Sequence, residues 1–288
     1  MNLDFTIKAY KRLLNTLIDQ GFSFQPFEEY LIKPSKKGVI LRHDVDLLPY
    51  NALRIAEIET GLNIKASYHF RIIRESNNVE CIKKIADFGH EIGYHYEDLN
   101  LAAKRLTTHD SRPTKVNIEE MLFRSAYESF LENLKYFRQF YPVKIISMHG
   151  SPKSKYDSRD IWKKFNYRAS GTICEPYFDI DYSKVLYLTD TGRRWNGDKF
   201  NLRDKVVAGF GSTIGNPLSE KFNFRSTSDI IQAAINNQLP DQIIINTHPQ
   251  RWTDKSVPWV RELVWQNVKN VGKYFLVKLR DKGFGTRD

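Results

Sequence analysis

Residues 38–46 constrain the fold of this chain more than any other stretch. They begin with an apolar, mostly β-branched run and end in two carboxylates, Asp44 and Asp46, two positions apart. A helix is predicted to begin at Pro49, so both acids lie at the carboxyl end of a strand. In α/β proteins this edge of the sheet carries the catalytic and binding side chains. The stretch therefore predicts an α/β fold with a functional site at that edge.

The two carboxylates are close enough to repel each other, so we expect a cation beside them. A metal ion, Arg42 or a protonated histidine would each supply the positive charge. The alternative for a single aspartate at such a place is that it caps the following helix. Three further segments that carry a histidine favour the functional interpretation over this alternative.

The rest of the chain alternates predicted strands and helices, which favours a parallel sheet and, at 288 residues, a barrel-like α/β domain. We predict one domain over residues 1–288, with an N-terminal helix at about 4–20 and an irregular insertion at about 153–205. Residues 22–37 are expected to be an irregular lead-in and residues 104–115 a polar loop. Further strands are predicted at 64–70, 91–96, 143–148 and 242–246, and helices at 49–60, 79–88, 118–140, 229–236 and 259–280.

Composition excludes several classes of protein. The two cysteines, Cys81 and Cys174, allow neither a disulfide framework nor a CxxC zinc site. No apolar run is long enough to span a bilayer, and no signal peptide is recognised, so a cytoplasmic protein is expected. The net charge of +10 is spread along the chain without the aromatic and basic repeats of a nucleic-acid-binding module. We therefore expect no nucleic-acid partner, and the charge is only weak evidence for an anionic substrate.

Four predicted strand ends carry ionisable side chains: Asp44 with Asp46, then His95, His149 and His248. A single histidine is more often structural than functional, but burying several imidazoles and carboxylates is costly unless they are paired. Both groups are ligands of Zn²⁺ and similar divalent ions. The set predicts a metal site, with an unligated aspartate available as a base and a histidine on the opposite rim as a proton donor.

These segments resemble the motifs of the polysaccharide deacetylases of the NodB-homology type, the carbohydrate esterase family 4 superfamily. Residues 43–46, His-Asp-Val-Asp, resemble the first motif, which implies that Asp44 is the base and Asp46 a metal ligand. Residues 89–95, Gly-His-Glu-Ile-Gly-Tyr-His, resemble the second motif and imply that the last of them is a ligand. Residues 243–248, an apolar strand ending in histidine, resemble the last motif and imply a catalytic histidine there.

The sequence also departs from the family pattern. The family's second metal-binding histidine follows four residues after the position of His95, where this chain has Leu99. Asp98 could reach the same metal if His95 opens a helical turn, and His149 is the other candidate for this ligand. The middle motifs of the family have no clean counterpart. The resemblance covers roughly residues 38–248 and implies a distorted (β/α)7 barrel, similar to a TIM barrel.

The resemblance implies a metal-dependent hydrolase that removes an acetyl group from an N-acetylated sugar, and zinc is the divalent ion that we expect. The expected location favours a cytoplasmic glycan precursor as the substrate. The absence of a histidine at position 99 leaves a second hypothesis open, a catalytically inactive carbohydrate-binding protein on the same fold. A hydrolase of another C–N bond is a third hypothesis, and the sequence does not indicate an oligomeric state.

A set of arginine and tryptophan side chains forms the predicted substrate-binding surface. Flat rings suit stacking on a sugar, and forked guanidinium groups suit binding of a carboxylate or phosphate. The alternative is that the tryptophans pack the barrel rim and the arginines pair with nearby aspartates such as Asp190. The residues of this set are Arg193, Arg194, Trp195, Arg251 and Trp252.

Overall fold

The computed structural model describes residues 3–108, 115–150, 154, 156–195, 218 and 221–281. Within these residues, parallel strands form one sheet, and six of them follow the order β5-β4-β3-β2-β7-β6 and curl into an incomplete barrel. The predicted distorted α/β barrel is therefore confirmed. The strands are β1 (Ser23–Gln25), β2 (Gly38–Val45), β3 (Ser67–Phe70), β4 (Glu91–Tyr96), β5 (Ile146–Met148), β6 (Leu186–Thr189) and β7 (Gln242–Thr247).

Helices connect the strands, and no helix of the described residues is both long enough and apolar enough to cross a membrane. Short 3-10 helices occupy residues 158–163, 167–170 and 249–251. The α-helices are α1 (Ile7–Asp19), α2 (Phe27–Ile32), α3 (Pro49–Thr60), α4 (Val79–Asp87), α5 (Asp98–Thr108), α6 (Lys115–Phe137), α7 (Pro176–Asp179), α8 (Thr227–Ile235) and α9 (Ser256–Asp281).

Regular structure also occurs in segments that were expected to be irregular. The lead-in contains β1 and α2, the predicted insertion contains β6, and α5 extends into the predicted loop. Strand β1 is only three residues long and pairs with β2 at residues 38–40, while β3 pairs with β2 at residues 42–45. Such short strands carry too little periodicity to be recognised in sequence. Residues 109–114 of the predicted loop and 196–205 of the predicted insertion lie outside the described residues.

Strand β2 is buried along its whole length, with alternate residues on opposite faces of the sheet. Val39 and Leu41 pack in the large core that includes the helices. Ile40 instead packs in a smaller cluster inside the barrel, with Phe27 and Ile244. A strand covered on both faces has few positions where a polar side chain is tolerated without a partner. The polar residues at its carboxyl end must therefore be paired on each face.

On the outer face, the buried carboxylate of Glu59 in α3 connects helices α1 and α3 to the sheet. It accepts hydrogen bonds from the hydroxyls of Tyr10 and Tyr68, and Nε2 of His43 lies 2.8 Å from its Oε1. Nδ1 of His43 lies 2.7 Å from Oγ1 of Thr247 on β7. Burial alone would raise the pKa of Glu59, but His43 and Tyr10 lower it, so this carboxylate is charged. The network holds β2 from the side opposite the candidate site.

Inside the barrel, β4 passes very close to the buried ring of His69 at Gly93. A Cβ added to Gly93 would lie 2.3 Å from Cδ2 of His69, which is closer than real contacts allow. We expect Gly93→Ala to lower the free energy of unfolding by ~1–3 kcal/mol, the usual cost of overpacking a core. Chemical denaturation measures this change. Gly61→Ala is the control, because its Cβ would meet carbonyl oxygens at 3.4 Å or more. Equal stability of the Gly93→Ala variant and the parent would contradict this packing.

Candidate metal centre

Three histidine rings point their Nε2 atoms at the carboxylate of Asp46, immediately after β2. Nε2 of His95 and Nε2 of His149 lie 3.6 Å and 3.7 Å from its Oδ1. Nε2 of His248 lies 3.7 Å from its Oδ2. The four side chains come from or directly follow β2, β4, β5 and β7, whose carboxyl ends meet at one edge of the sheet. The structure therefore brings together the groups that the sequence places at separate strand ends.

The proton position of His95 is set by the backbone. Its Nδ1 lies 3.0 Å from the carbonyl oxygen of Ser147, and a carbonyl only accepts, so Nδ1 carries the proton. The lone pair of the neutral ring is then on Nε2, facing Asp46. Burial lowers the pKa of His95 to about 4, although Asp44 acts in the opposite direction. The ring is therefore neutral near pH 7, as a metal ligand requires.

A buried carboxylate orients His149 in a similar way. Oε2 of Glu97 lies 3.1 Å from Nδ1 of His149, and Oε1 of Glu97 accepts hydrogen bonds of 2.8 Å and 2.6 Å from Arg71. Burial alone would raise the pKa of Glu97, but His149 and Arg71 lower it to about 2. An ionised carboxylate accepts, so the proton of His149 is on Nδ1 and its Nε2 lone pair faces Asp46. Carboxylate–histidine pairs of this kind support metal ligands.

The spacing of these atoms fits a divalent metal ion. Oδ1 of Asp46 is buried and has no hydrogen-bond partner in the described part of the chain. Distances of 3.6 and 3.7 Å are too long for hydrogen bonds. Ligand atoms ~2.0–2.1 Å from one tetrahedral zinc ion would lie roughly 3.3 Å apart. One ligand atom each from Asp46, His95 and His149 lies within 4.8 Å of the other two, so the residues fit one ion, and its identity as zinc stays a prediction.

The charge of Asp46 also suits this role. Burial alone would raise the pKa of its carboxyl, but His149, His248 and His95 lower it to about 2. The carboxylate of Asp46 is therefore ionised near neutral pH. One anionic oxygen and two neutral imidazole nitrogens form a ligand set that zinc enzymes use, with positions left for water and substrate.

Asp44 lies one step deeper in the barrel and is paired with Arg42, one of the cations expected beside the two acids. Nε and Nη2 of Arg42 donate hydrogen bonds of 2.8 Å to its two oxygens, and the amide of Asn246 donates another of 2.9 Å. Burial alone would raise the pKa of Asp44, but Arg42 and His95 hold it well below its usual range. The Oδ2 atom lies 3.9 Å from Nε2 of His95. Asp44 is therefore an ionised carboxylate beside the metal ligands.

His248 is oriented by Asp190, a buried residue that the sequence did not mark as functional. Nδ1 of His248 lies 2.6 Å from Oδ1 of Asp190, which also accepts from Nη1 of Arg251 at 2.6 Å. The other oxygen accepts from the backbone N–H of His248 and from Nε1 of Trp252. The carboxylate thus directs Nε2 of His248 toward the site. The available signal was that Asp190 follows the apolar run 186–188, the same strand-end pattern as the other site residues.

Asp98, predicted as a possible metal ligand, lies outside the cluster. His95 is within β4 and does not open a helix, so Asp98 begins α5 on the helix-covered side of the sheet. Its carboxylate accepts hydrogen bonds of 2.7 Å each from the Tyr94 hydroxyl and the Asn133 amide. Burial raises the pKa of Asp98 to about 6, whereas a nearby metal ion requires the ionised form. His149 therefore takes the place of Asp98 in the cluster.

Four of the five residues predicted to bind substrate are buried in contacts within the protein. The rings of Trp195 and Trp252 pack against each other, with centroids 6.1 Å apart, and both indole N–H groups donate hydrogen bonds internally. Arg193 donates to a backbone carbonyl, and Arg251 donates to a carboxylate. These four residues therefore fit the alternative in which the tryptophans pack and the arginines pair within the protein. Arg194 is the member of the set whose side chain is exposed.

Comparison with solved structures finds weak likenesses to carbohydrate esterase family 4 (CE4) proteins. One is a CE4 pseudoenzyme from Bacillus anthracis, with a TM-score of 0.36 and 15% identity, covering 83% of this chain and 62% of that chain. Another is the Xyl-CE4 domain of a multidomain xylanase from the hindgut metagenome of Trinervitermes trinervoides, with a TM-score of 0.35 and 13% identity, covering 83% of this chain and 85% of that chain. Both matches are CE4 proteins. This chain thus spans less than two thirds of the length of the pseudoenzyme.

No family model matches the sequence, and no curated protein matches it either. With TM-scores of 0.36 and 0.35, these likenesses carry no weight for the metal or the reaction. The metal and the reaction must therefore be argued from the geometry around Asp46.

The cluster predicts which substitutions remove a bound metal. We expect Asp46→Ala, His95→Ala and His149→Ala each to weaken zinc binding by more than the ~10–100-fold typical for loss of an outer-shell partner. Each change removes a ligand atom without opening the apolar core. Titration calorimetry against a competing chelator measures the affinity. Asp98→Asn is the control and should bind zinc like the parent. An equal loss of zinc affinity in this control would show that Asp98 is a ligand.

The support of His149 by Glu97 can be tested separately from ligation. Glu97→Gln removes the charge that holds the proton on Nδ1, so we expect zinc affinity to fall ~10–100-fold. Glu91→Gln is a matched control, because Glu91 is also a buried glutamate but lies at the start of β4, and burial raises its pKa to about 7. Glu91 does not contact the histidines, so its variant should keep the parent affinity. A Glu97→Gln variant with unchanged affinity would show that His149 needs no such support.

Proposed function

We propose that this protein is a metal-dependent hydrolase that removes the acetyl group from an N-acetylated sugar, with a cytoplasmic glycan precursor as its substrate. The observation that carries the proposal is the convergence of two neutral imidazoles on the unpartnered carboxylate oxygen of Asp46. An ionised carboxylate, Asp44, and a carboxylate-supported imidazole, His248, flank this point. Hydrolysis of an amide requires a base for the attacking water and an acid for the leaving amine.

The metal would be held by Asp46, His95 and His149. When bound, a divalent ion polarises the amide carbonyl and lowers the pKa of water at the site. Asp44 removes a proton from the water that attacks the carbonyl carbon. Three of the roughly four acceptor positions of its carboxylate are filled by Arg42 and the Asn246 amide, which leaves one for this water.

The leaving group requires a proton as the C–N bond breaks and acetate is released. His248 is suited to donate it from Nε2, which lies on the Oδ2 side of Asp46. Nδ1 of His248 lies 2.6 Å from the carboxylate of Asp190, whose negative charge stabilises the protonated ring during the transfer. The base and the acid are thus two separate residues near Asp46, so one can take a proton from the water and the other can donate one to the leaving amine.

The second hypothesis, a binding protein without hydrolysis, rests on the absence of a histidine at position 99. Leu99 is buried in the apolar core, so this position contributes nothing to the site. His149 supplies an imidazole from the end of β5 instead. The site therefore has two histidines and a carboxylate despite the departure at Leu99, which favours hydrolysis over binding alone.

The catalytic roles can be separated from metal binding. We expect Asp44→Asn to retain zinc but to hydrolyse acetylated sugars ~10²–10⁴-fold more slowly, the usual contribution of a general base. His248→Ala should show the same pattern, since it also removes proton transfer and no proposed ligand. Acetate release from oligomeric and nucleotide-linked N-acetylglucosamine measures the activity, and Asp98→Asn serves as a buried-aspartate control that should remain active.

Other outcomes would contradict the assignment in distinct ways. Loss of zinc from Asp44→Asn would mean that the roles of Asp44 and Asp46 are reversed. Retention of both zinc and full activity in Asp44→Asn would exclude this carboxylate as the base. A parent protein that binds zinc and sugars but releases no acetate would support the carbohydrate-binding alternative.

A further inference from the structure

Helix α9 buries two polar side chains and exposes most of its apolar ones, while Trp259 and Leu263 are half-buried. The side chains of Gln266 and Asn270 are buried, and Nδ2 of Asn270 donates a 2.9 Å hydrogen bond to the carbonyl of Gly192. A Cβ at Gly192 would lie 2.6 Å from Oδ1 of Asn270, so this polar contact is close. A surface helix normally buries its apolar face. Packing within the described residues therefore does not account for the exposed apolar surface of α9.

The outward face of α9 is a continuous apolar stripe. Its members recur at spacings of three or four residues, which places them on one side of a helix. From the first to the last of them the helix rises about 21 Å. Each is 51–80% exposed, so no described part of the chain covers the stripe. The stripe consists of Val257, Val260, Val264, Val268 and Val271, with Trp265 at its edge.

The exposed charges beside the stripe are basic. Arg261 and Lys269 are exposed, and Nζ of Lys269 lies 5.0 Å from the ring centroid of Trp265. Glu262 is half-buried and accepts a hydrogen bond from Gln266, so its charge faces the protein. Over the whole of α9 the sequence has five basic and two acidic residues, and the chain as a whole carries a net charge of +10.

We propose that α9 lies flat on an anionic membrane surface, with the valine stripe and Trp265 at the boundary between headgroups and acyl chains. An apolar face with tryptophan at its edge and lysine and arginine beside it is typical of interfacial helices. The basic side chains complement anionic lipid. A second copy of the chain would instead bring the same positive charges against each other. This proposal depends on α9 alone and does not require the proposed hydrolase activity.

Sedimentation of the full chain with lipid vesicles tests the proposal. We expect binding to vesicles of equal parts phosphatidylcholine and phosphatidylglycerol, and at least ~10-fold weaker binding to phosphatidylcholine alone. The double variant Val264→Asp/Val268→Asp should bind anionic vesicles at least ~10-fold more weakly, because two carboxylates would enter the apolar boundary. Arg261→Gln and Lys269→Gln should each weaken binding ~5-fold. Ile235→Asp, at an exposed apolar position of α8, is the matched control and should bind like the parent.

Three outcomes would overturn the proposal. The first is a parent protein that sediments with neither kind of vesicle. The second is a dimer in light scattering that Val264→Asp/Val268→Asp converts to a monomer without any vesicle binding by the parent, which would assign the stripe to a second copy of the chain. The third is an equal loss of vesicle binding in Ile235→Asp, which would show that the binding is not specific to α9.

Discussion

The buried ion pair between Arg42 and Asp44 is the interaction on which the candidate site depends. Both side chains lie inside the barrel, where an unpaired charge would be costly. The guanidinium of Arg42 donates two parallel hydrogen bonds to the carboxylate of Asp44. The second carboxylate, Asp46, lies one step nearer the rim, and within the described residues no arginine or lysine forms an ion pair with it. Residues 44–46 thus provide one carboxylate neutralised by arginine and one whose charge is available to the candidate metal.

Successive side chains of β2 point to opposite faces of the sheet, and contacts on both faces fix this arrangement. His43 points outward to Glu59, while its neighbours Arg42 and Asp44 point inward. A register shift by one residue would place His43 inside the barrel and the aspartates against the helices. Every such slip would leave buried charges without partners. The outer Glu59 network therefore supports the inner site although it contributes no atom to it, and stability and site geometry are coupled through one strand.

The fold and the convergence of the strand ends could be predicted because both follow from local patterns. Buried apolar runs mark β2 and β7, and parallel strands necessarily bring their carboxyl ends to one edge. The choice between Asp98 and His149 could not be made in the same way. It depended on whether a helix begins at His95 or three residues later, and element boundaries are the least certain feature of a sequence-based assignment. Asp190 is missed because the four-residue β6 lies in a segment that is expected to be irregular, so its short apolar run is not recognised as a strand.

Composition alone also could not separate substrate binding from packing. The short interval from His248 to Trp252 has the aromatic and basic character of a sugar-binding surface, yet it serves a different purpose. A 3-10 turn at residues 249–251 reverses the chain direction. His248, Arg251 and Trp252 therefore all lie within hydrogen-bond distance of the carboxylate of Asp190. Arg251 offsets the negative charge of that carboxylate, and Trp252 holds the carboxylate in the core. His248 is the partner of Asp190 that also faces the site. The clustering in sequence therefore reflects one buried acceptor. Removal of Asp190 would disturb both the packing and the orientation of His248, whereas truncation of His248 leaves Arg251 and Trp252 in place as donors.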